Sequence, residues 1–177
     1  MKLLLLVGLG LAAIPFITSL QRADNETSED ANPWYVEVDL TGLMPGQLKS
    51  VAWPGGEVWV YARTPREMKA LQMAELDRLR DPDSHFSQQP AAAHNSYRSL
   101  KPEYFVVLPR ESRRGCQIQQ IQLQAGINGY TEACYGARFD NAGRIFKDSG
   151  VADQHNLSVP PHEFLGPNRL RLLPSLP

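Results

Sequence analysis

Thiols and imidazoles are scarce in this chain: 177 residues carry two cysteines and four histidines. Cys116 and Cys134 are not spaced as C-x-x-C, and neither sits at an evident helix N-terminus that would lower a thiol pKa, so a redox-active dithiol is not expected. No nucleophile–base pair, phosphate-binding loop or nucleotide fingerprint is present, which argues against catalysis by the chain alone. A surplus of one charge is missing too. The net charge of −1 gives no electrostatic case for nucleic acid as a partner.

What is present is an ordinary globular composition, 42% hydrophobic and 21% charged, for one domain plus an appendage. The appendage is residues 1–20, where Lys2 precedes an uncharged run from Leu3 to Leu20. At 1.5 Å per residue that run is long enough to cross a hydrocarbon core. A cleaved signal peptide has a similar make-up, but no A-x-A-like site follows, and a transmembrane anchor is the expectation. Lys2 lies before the span, while Asp24, Glu26, Glu29 and Asp30 follow the lone Arg22. The positive-inside bias therefore puts the body outside the cytoplasm. Residues 21–33 are polar and acidic, as in a flexible linker, and residues 34–177 form the folded domain.

Within that domain the alternation from Trp34 to Leu40 predicts a strand, and Pro54-Gly55-Gly56 predicts a hairpin between Lys49–Trp53 and Glu57–Tyr61. Thr64-Pro65-Arg66-Glu67 is a helix start, with a hydroxyl N-cap, Pro at the first helical position and Glu completing a capping box. Met68, Leu71, Leu76 and Leu79 predict its apolar stripe, and Asp81-Pro82 its end. Tyr104 to Leu108 reads as a buried strand, and Gln117 to Gln124 as a half-buried one with Ile118, Ile121 and Leu123 inward. Phe139 to Ile145 reads as strand–turn–strand.

The two cysteines lie in short glycine-containing segments, E-S-R-R-G-C from Glu111 and E-A-C-Y-G-A-R-F-D from Glu132. This pair of loops resembles the cluster-binding half of the Rieske iron-sulfur proteins, whose loops read C-T-H-x-G-C and C-P-C-H-G-S-x-Y/F-D. The resemblance extends to V-E-V-D-L-T-G-L-M-P-G-Q, to V-W-V-Y-A-R-T-P and to the irregular segment between the helix and Tyr104. It implies a mainly β, Rieske-like antiparallel sandwich with one inserted helix, and a degenerate cluster-binding subdomain at about residues 105–155. It further implies that Cys116 and Cys134 form a disulfide, which contributes about 3 kcal/mol on the chain-entropy model.

A Rieske centre takes two thiolates and two imidazoles. The matching positions here are Glu111, Arg113, Glu132 and Tyr135, so the resemblance leads us to expect no [2Fe-2S] cluster, no metal ligands and no catalytic residues. The serine that bonds toward the cluster in the family is Ala137, and the proline-rich third loop is replaced by Asp148 to His155. One residual metal reading is a mononuclear site made of Glu111, Glu132 and His155. The implied role is an accessory or assembly subunit of a cytochrome bc type respiratory complex, anchored once in a bacterial inner membrane with its domain in the periplasm. Its partners would then be cytochrome b, cytochrome c1 or oxidase subunits, with Arg113, Arg114 and Arg138 as candidate contacts. Two alternatives stay open: a free-standing periplasmic binding or regulatory module, and an electron carrier using another metal.

Overall fold

The structure is a computed structural model that describes residues 35–54 and 56–174. The expected anchor and linker lie outside the described residues, and among the described residues no helix is long and apolar enough to cross a membrane. Among the described residues, nine strands form three small antiparallel sheets. One sheet holds β1 (Val36–Asp39), β8 (His162–Phe164) and β9 (Arg169–Leu172) in the order β1-β9-β8. The next holds β2 (Leu48–Trp53), β3 (Gly56–Ala62) and β4 (Tyr104–Val107), and the last β5 (Ile118–Gln124), β6 (Ile127–Glu132) and β7 (Arg138–Phe139).

The β2-β3-β4 sheet is the middle layer, because successive side chains of a strand point to opposite faces and on β3 and β4 both faces are buried. Val58, Val60 and Val106 pack with Val38, Leu40, Leu170 and Leu172 on one side. Tyr61, Phe105 and Val107 pack with Ile118, Tyr130, Phe139, Ile145 and Leu157 on the other. Continuous apolar runs such as V-W-V-Y-A are what a strand buried on both faces requires. The expected sandwich is thus three stacked sheets with two cores, and the second core carries the loops of interest.

Helix α1 (Pro65–Gln72) starts as its sequence predicts, with the Thr64 and Glu67 capping box formed in both directions. It is shorter than expected. The residues facing the interior are Glu67 and Leu71, while Leu76 is 49% exposed in a separate 3-10 turn, Leu76–Arg78. The Glu67 carboxylate accepts from the Thr64 and Asn128 backbone N–H groups, the Tyr61 hydroxyl and the Asn141 side-chain amide. This fully bonded carboxylate can be buried, and it turns the helix away from a simple apolar stripe.

Residues 73–103 contain only that turn and a second 3-10 turn, Ala91–Ala93. Buried arginines order them in place of regular structure. Arg63 donates to Asn141, Ser99, Pro102 O and Tyr97 O. Arg98, in the left-handed region at φ 48°, donates to Gln89, Ser87, Ala142 O and Leu157 O. Burial lowers both guanidinium pKa values to about 10, which leaves them cationic at neutral pH. Arg98→Met would strand buried carbonyls and should destabilise the fold by about 3 kcal/mol. A urea titration checks this as a lower midpoint at an unchanged m-value.

Candidate functional site

Strands β5 and β6 bring the two cysteines together through their register. Ile118 pairs with Glu132 and Gln119 with Thr131, and extending that ladder by two residues sets Cys116 opposite Cys134. The disulfide is formed there, with Cα atoms 6.4 Å apart, as the resemblance implies. The hairpin turns at Ala125-Gly126, with Gly126 at φ 69°. Sequence reasoning missed strand β6, because Ala125-Gly126 is not one of the Asn-Gly or Asp-Gly pairs that mark a tight hairpin.

Glu111 and Glu132 come together at the end of this sheet, and both are buried, 3% and 1% exposed. Each carboxylate organises its own loop. Glu111 accepts backbone N–H bonds from Arg113 (2.8 Å), Arg114 (2.5 Å) and Cys116 (3.2 Å). Glu132 accepts them from Cys134 (2.6 Å), Tyr135 (3.0 Å) and Ala137 (2.9 Å). The fully buried Gln154 stands between the two and donates its side-chain amide to Glu111 Oε2 at 3.0 Å and to Glu132 Oε1 at 3.2 Å. Its own Oε1 accepts from Val151 N–H. Gly150, at φ 65°, leaves room for it: a Cβ there would overlap Gln154 Oε1.

Arg113 and Tyr135 are also in contact, as a cation and a ring. The Arg113 guanidinium lies 5.2 Å and that of Arg114 5.9 Å from the Tyr135 ring centroid. Arg113 pairs with Asp153 and Arg138 with Asp148, each at 2.8 Å, so two of the three candidate contact arginines already have acidic partners. Arg114 forms no salt bridge among the described residues. His155 does not join the carboxylates. Its N–H donates to Ser112 Oγ and its ring stacks on Phe86, and Gln154 occupies the place between Glu111 and Glu132. The residual Glu111, Glu132, His155 site is therefore not assembled.

This donor set does not fit a Rieske [2Fe-2S] group. Such a group needs thiolate and imidazole ligands, whereas a guanidinium accepts nothing and both carboxylates are already saturated by N–H donors. Cys116, Cys134 and Glu132 place ligand atoms within 4.8 Å of one another, but both sulfurs are joined in the disulfide. A separate cavity of about 430 Å³ lies beside α1, lined by Leu71, Met73, Leu79, Leu123, Ile127 and Phe146 among others. Of the polar groups in its wall, Glu67 and Asn141 are bonded to each other and to their neighbours.

Burial pushes the Glu111 carboxyl up, and Gln154 with the Arg113, Arg114 and Cys116 N–H groups more than offsets it. Glu132 behaves in the same way, with Ala137, Tyr135, Gln154 and Cys134 as donors. Both pKa values lie below the ordinary glutamate value. A depressed folded-state pKa contributes stability above the unfolded value, about 4.3, that is lost as pH falls through the folded values. Denaturant titrations from pH 7 down to pH 3 should therefore show stability falling below about pH 4.5, with less of that fall in Glu132→Ala. At pH 7 the same variant, which leaves buried N–H groups unpaired, should be weaker than wild type by about 3 kcal/mol.

No family model matches the chain. Among curated proteins, it is 35% identical over 167 residues to the ubiquinol-cytochrome c reductase iron-sulfur subunit of Allochromatium vinosum, covering 90% of this chain and 77% of that one. The protein of the same name from Blastochloris viridis is 28% identical over 165 residues, covering 93% and 83%. The mitochondrial cytochrome b-c1 complex subunit Rieske of Solanum tuberosum is 34% identical over 135 residues, covering 76% and 45%.

Proposed function

Because the chain belongs to the Rieske iron-sulfur protein family, we propose that it is a cluster-free member, an accessory or assembly subunit of a respiratory complex of the cytochrome bc type. The observation that carries the reading is the state of Glu111 and Glu132. Both stand where the family pattern has its ligand cysteines, and their oxygens accept six backbone N–H bonds and the Gln154 amide. A tip arranged in this way is closed by its own hydrogen bonds. The relatives' names place them in ubiquinol-cytochrome c reductase and the cytochrome b-c1 complex, and the partners we propose are therefore cytochrome b, cytochrome c1 or oxidase subunits.

Residues 1–20 act in this reading as a single-pass anchor in a bacterial inner membrane, and residues 21–33 as a spacer holding the β domain in the periplasm. Disulfides persist in that compartment, in keeping with Cys116–Cys134. The chain transfers no electrons itself and is a non-catalytic subunit. Of the three candidate contact arginines, Arg114 is the one without an acidic partner among the described residues, since Arg113 and Arg138 are held by Asp153 and Asp148.

Affinity isolation of the detergent-solubilised chain from its host, with mass spectrometry and metal analysis of one sample, tests the proposal. Cytochrome subunits recovered without stoichiometric metal on this chain are the expected result. Recovery as a lone monomer would favour the free-standing module instead. About two irons per chain, the content of a [2Fe-2S] centre, would overturn the cluster-free assignment.

A further inference from the structure

Three loops meet at the tip, and the disulfide joins only two of them. The third, residues 148–155, is tied down through Gln154 to both Glu111 and Glu132, through His155 N–H to Ser112 Oγ at 2.8 Å and through Asp153 to Arg113. Among the described residues, Gln154 is the one side chain of this loop that bonds to both of the other loops. Its amide is aimed by the Val151 N–H on its oxygen, and its nitrogen reaches both carboxylates at once.

Resting on the cluster-free reading above, we propose that the Glu111–Gln154–Glu132 clasp is the cross-link that this tip uses in place of a metal centre, holding all three loops without an ion and without dependence on the disulfide. Two like charges side by side in a buried site repel, and they persist only when each is compensated by donors. Here six N–H groups and one shared amide supply that compensation. A metal ion would do the same task by charge and coordination. The carboxylates and the amide do it by hydrogen bonding alone, and Gln154 is the part that no loop could supply for itself.

Peptide-resolved hydrogen exchange on the full chain, with metal analysis of every sample, tests the clasp. Cys116→Ser/Cys134→Ser should keep the amides of residues 113–116 and 134–137 protected, and adding Gln154→Leu should speed their exchange about tenfold or more. Gln154→Glu, which adds a third carboxylate, should speed it further. With the disulfide intact, Gln154→Leu is held together covalently and reads the clasp alone, with faster exchange expected in all three loops. Slow exchange unchanged by Gln154→Leu in that oxidised protein would overturn the proposal, as would complete loss of tip protection in the cysteine double variant by itself. Iron on the wild-type chain strikes instead at the cluster-free reading, so the two failures are distinguishable.

Discussion

Two carboxylates buried side by side at the end of the β5–β6 hairpin set the terms for the rest of the tip. An unpaired buried carboxylate costs several kcal/mol and would take up a proton. Glu111 and Glu132 avoid this because the backbone of each loop curls around its own side chain, pointing three N–H groups inward. The loop conformations, the position of Gln154 and the glycine at position 150 all follow from that need. Even the disulfide is placed by the same ladder, since the register that pairs Ile118 with Glu132 carries Cys116 to Cys134.

The tip can be built from loops because it stands on a layer that is buried on both faces. Tyr61, Phe105 and Val107 point from the middle sheet toward the tip-bearing sheet while Val58, Val60 and Val106 point the other way. Buried side chains of this size each contribute about 1.5–3 kcal/mol. That apolar stack is bordered by a polar network in which Glu67, Tyr61, Asn128, Asn141 and Arg63 bond to one another. Arg63 and Arg98 then tie the irregular segment 73–103 to the turn after β7. Low-dielectric burial makes such bonds strong when complete, which explains how a segment with almost no regular structure keeps its course.

Much of this was legible in the residues, and the remainder was hidden for physical reasons. The capping box at Thr64 and Glu67 and the hairpin joining β2 to β3 depend on contacts within a few residues, which a linear reading can see. The inward set of Ile118, Ile121 and Leu123 is not realised: successive strand residues face opposite sides, and of the three Ile118 alone enters the core while Ile121 and Leu123 are half-buried. The burial of Glu67 depends on its bonds to Asn128 and Asn141, 61 and 74 residues away, and no local pattern reports that. The resemblance drew attention to Glu111 and Glu132, but their roles as loop organisers had no signal in the sequence. The arginines at the tip read as a free basic patch until Asp153 and Asp148 are seen beside them. Gln154 carried no signal at all, because an amide between two carboxylates is a fact of three loops meeting and not of any one.

A loop built around an anionic metal centre directs N–H groups at it, because hydrogen bonds to the cluster sulfurs stabilise its negative charge. Removing the centre alone would leave those donors buried and unpaired, at about 1–3 kcal/mol each. Alanine at the two cysteine positions would not relieve that cost. Glutamate does, since it restores a negative acceptor, and its longer side chain folds back onto the amides of its own loop. Two such carboxylates then need a neutral donor between them, and an amide supplies one without adding charge, where a carboxylate would repel and a lysine would bring a further ion to be desolvated. On the cluster-free reading proposed above, Glu111, Glu132 and Gln154 act as one coupled set that takes the place of a metal. None of the three would be tolerated as readily without the other two.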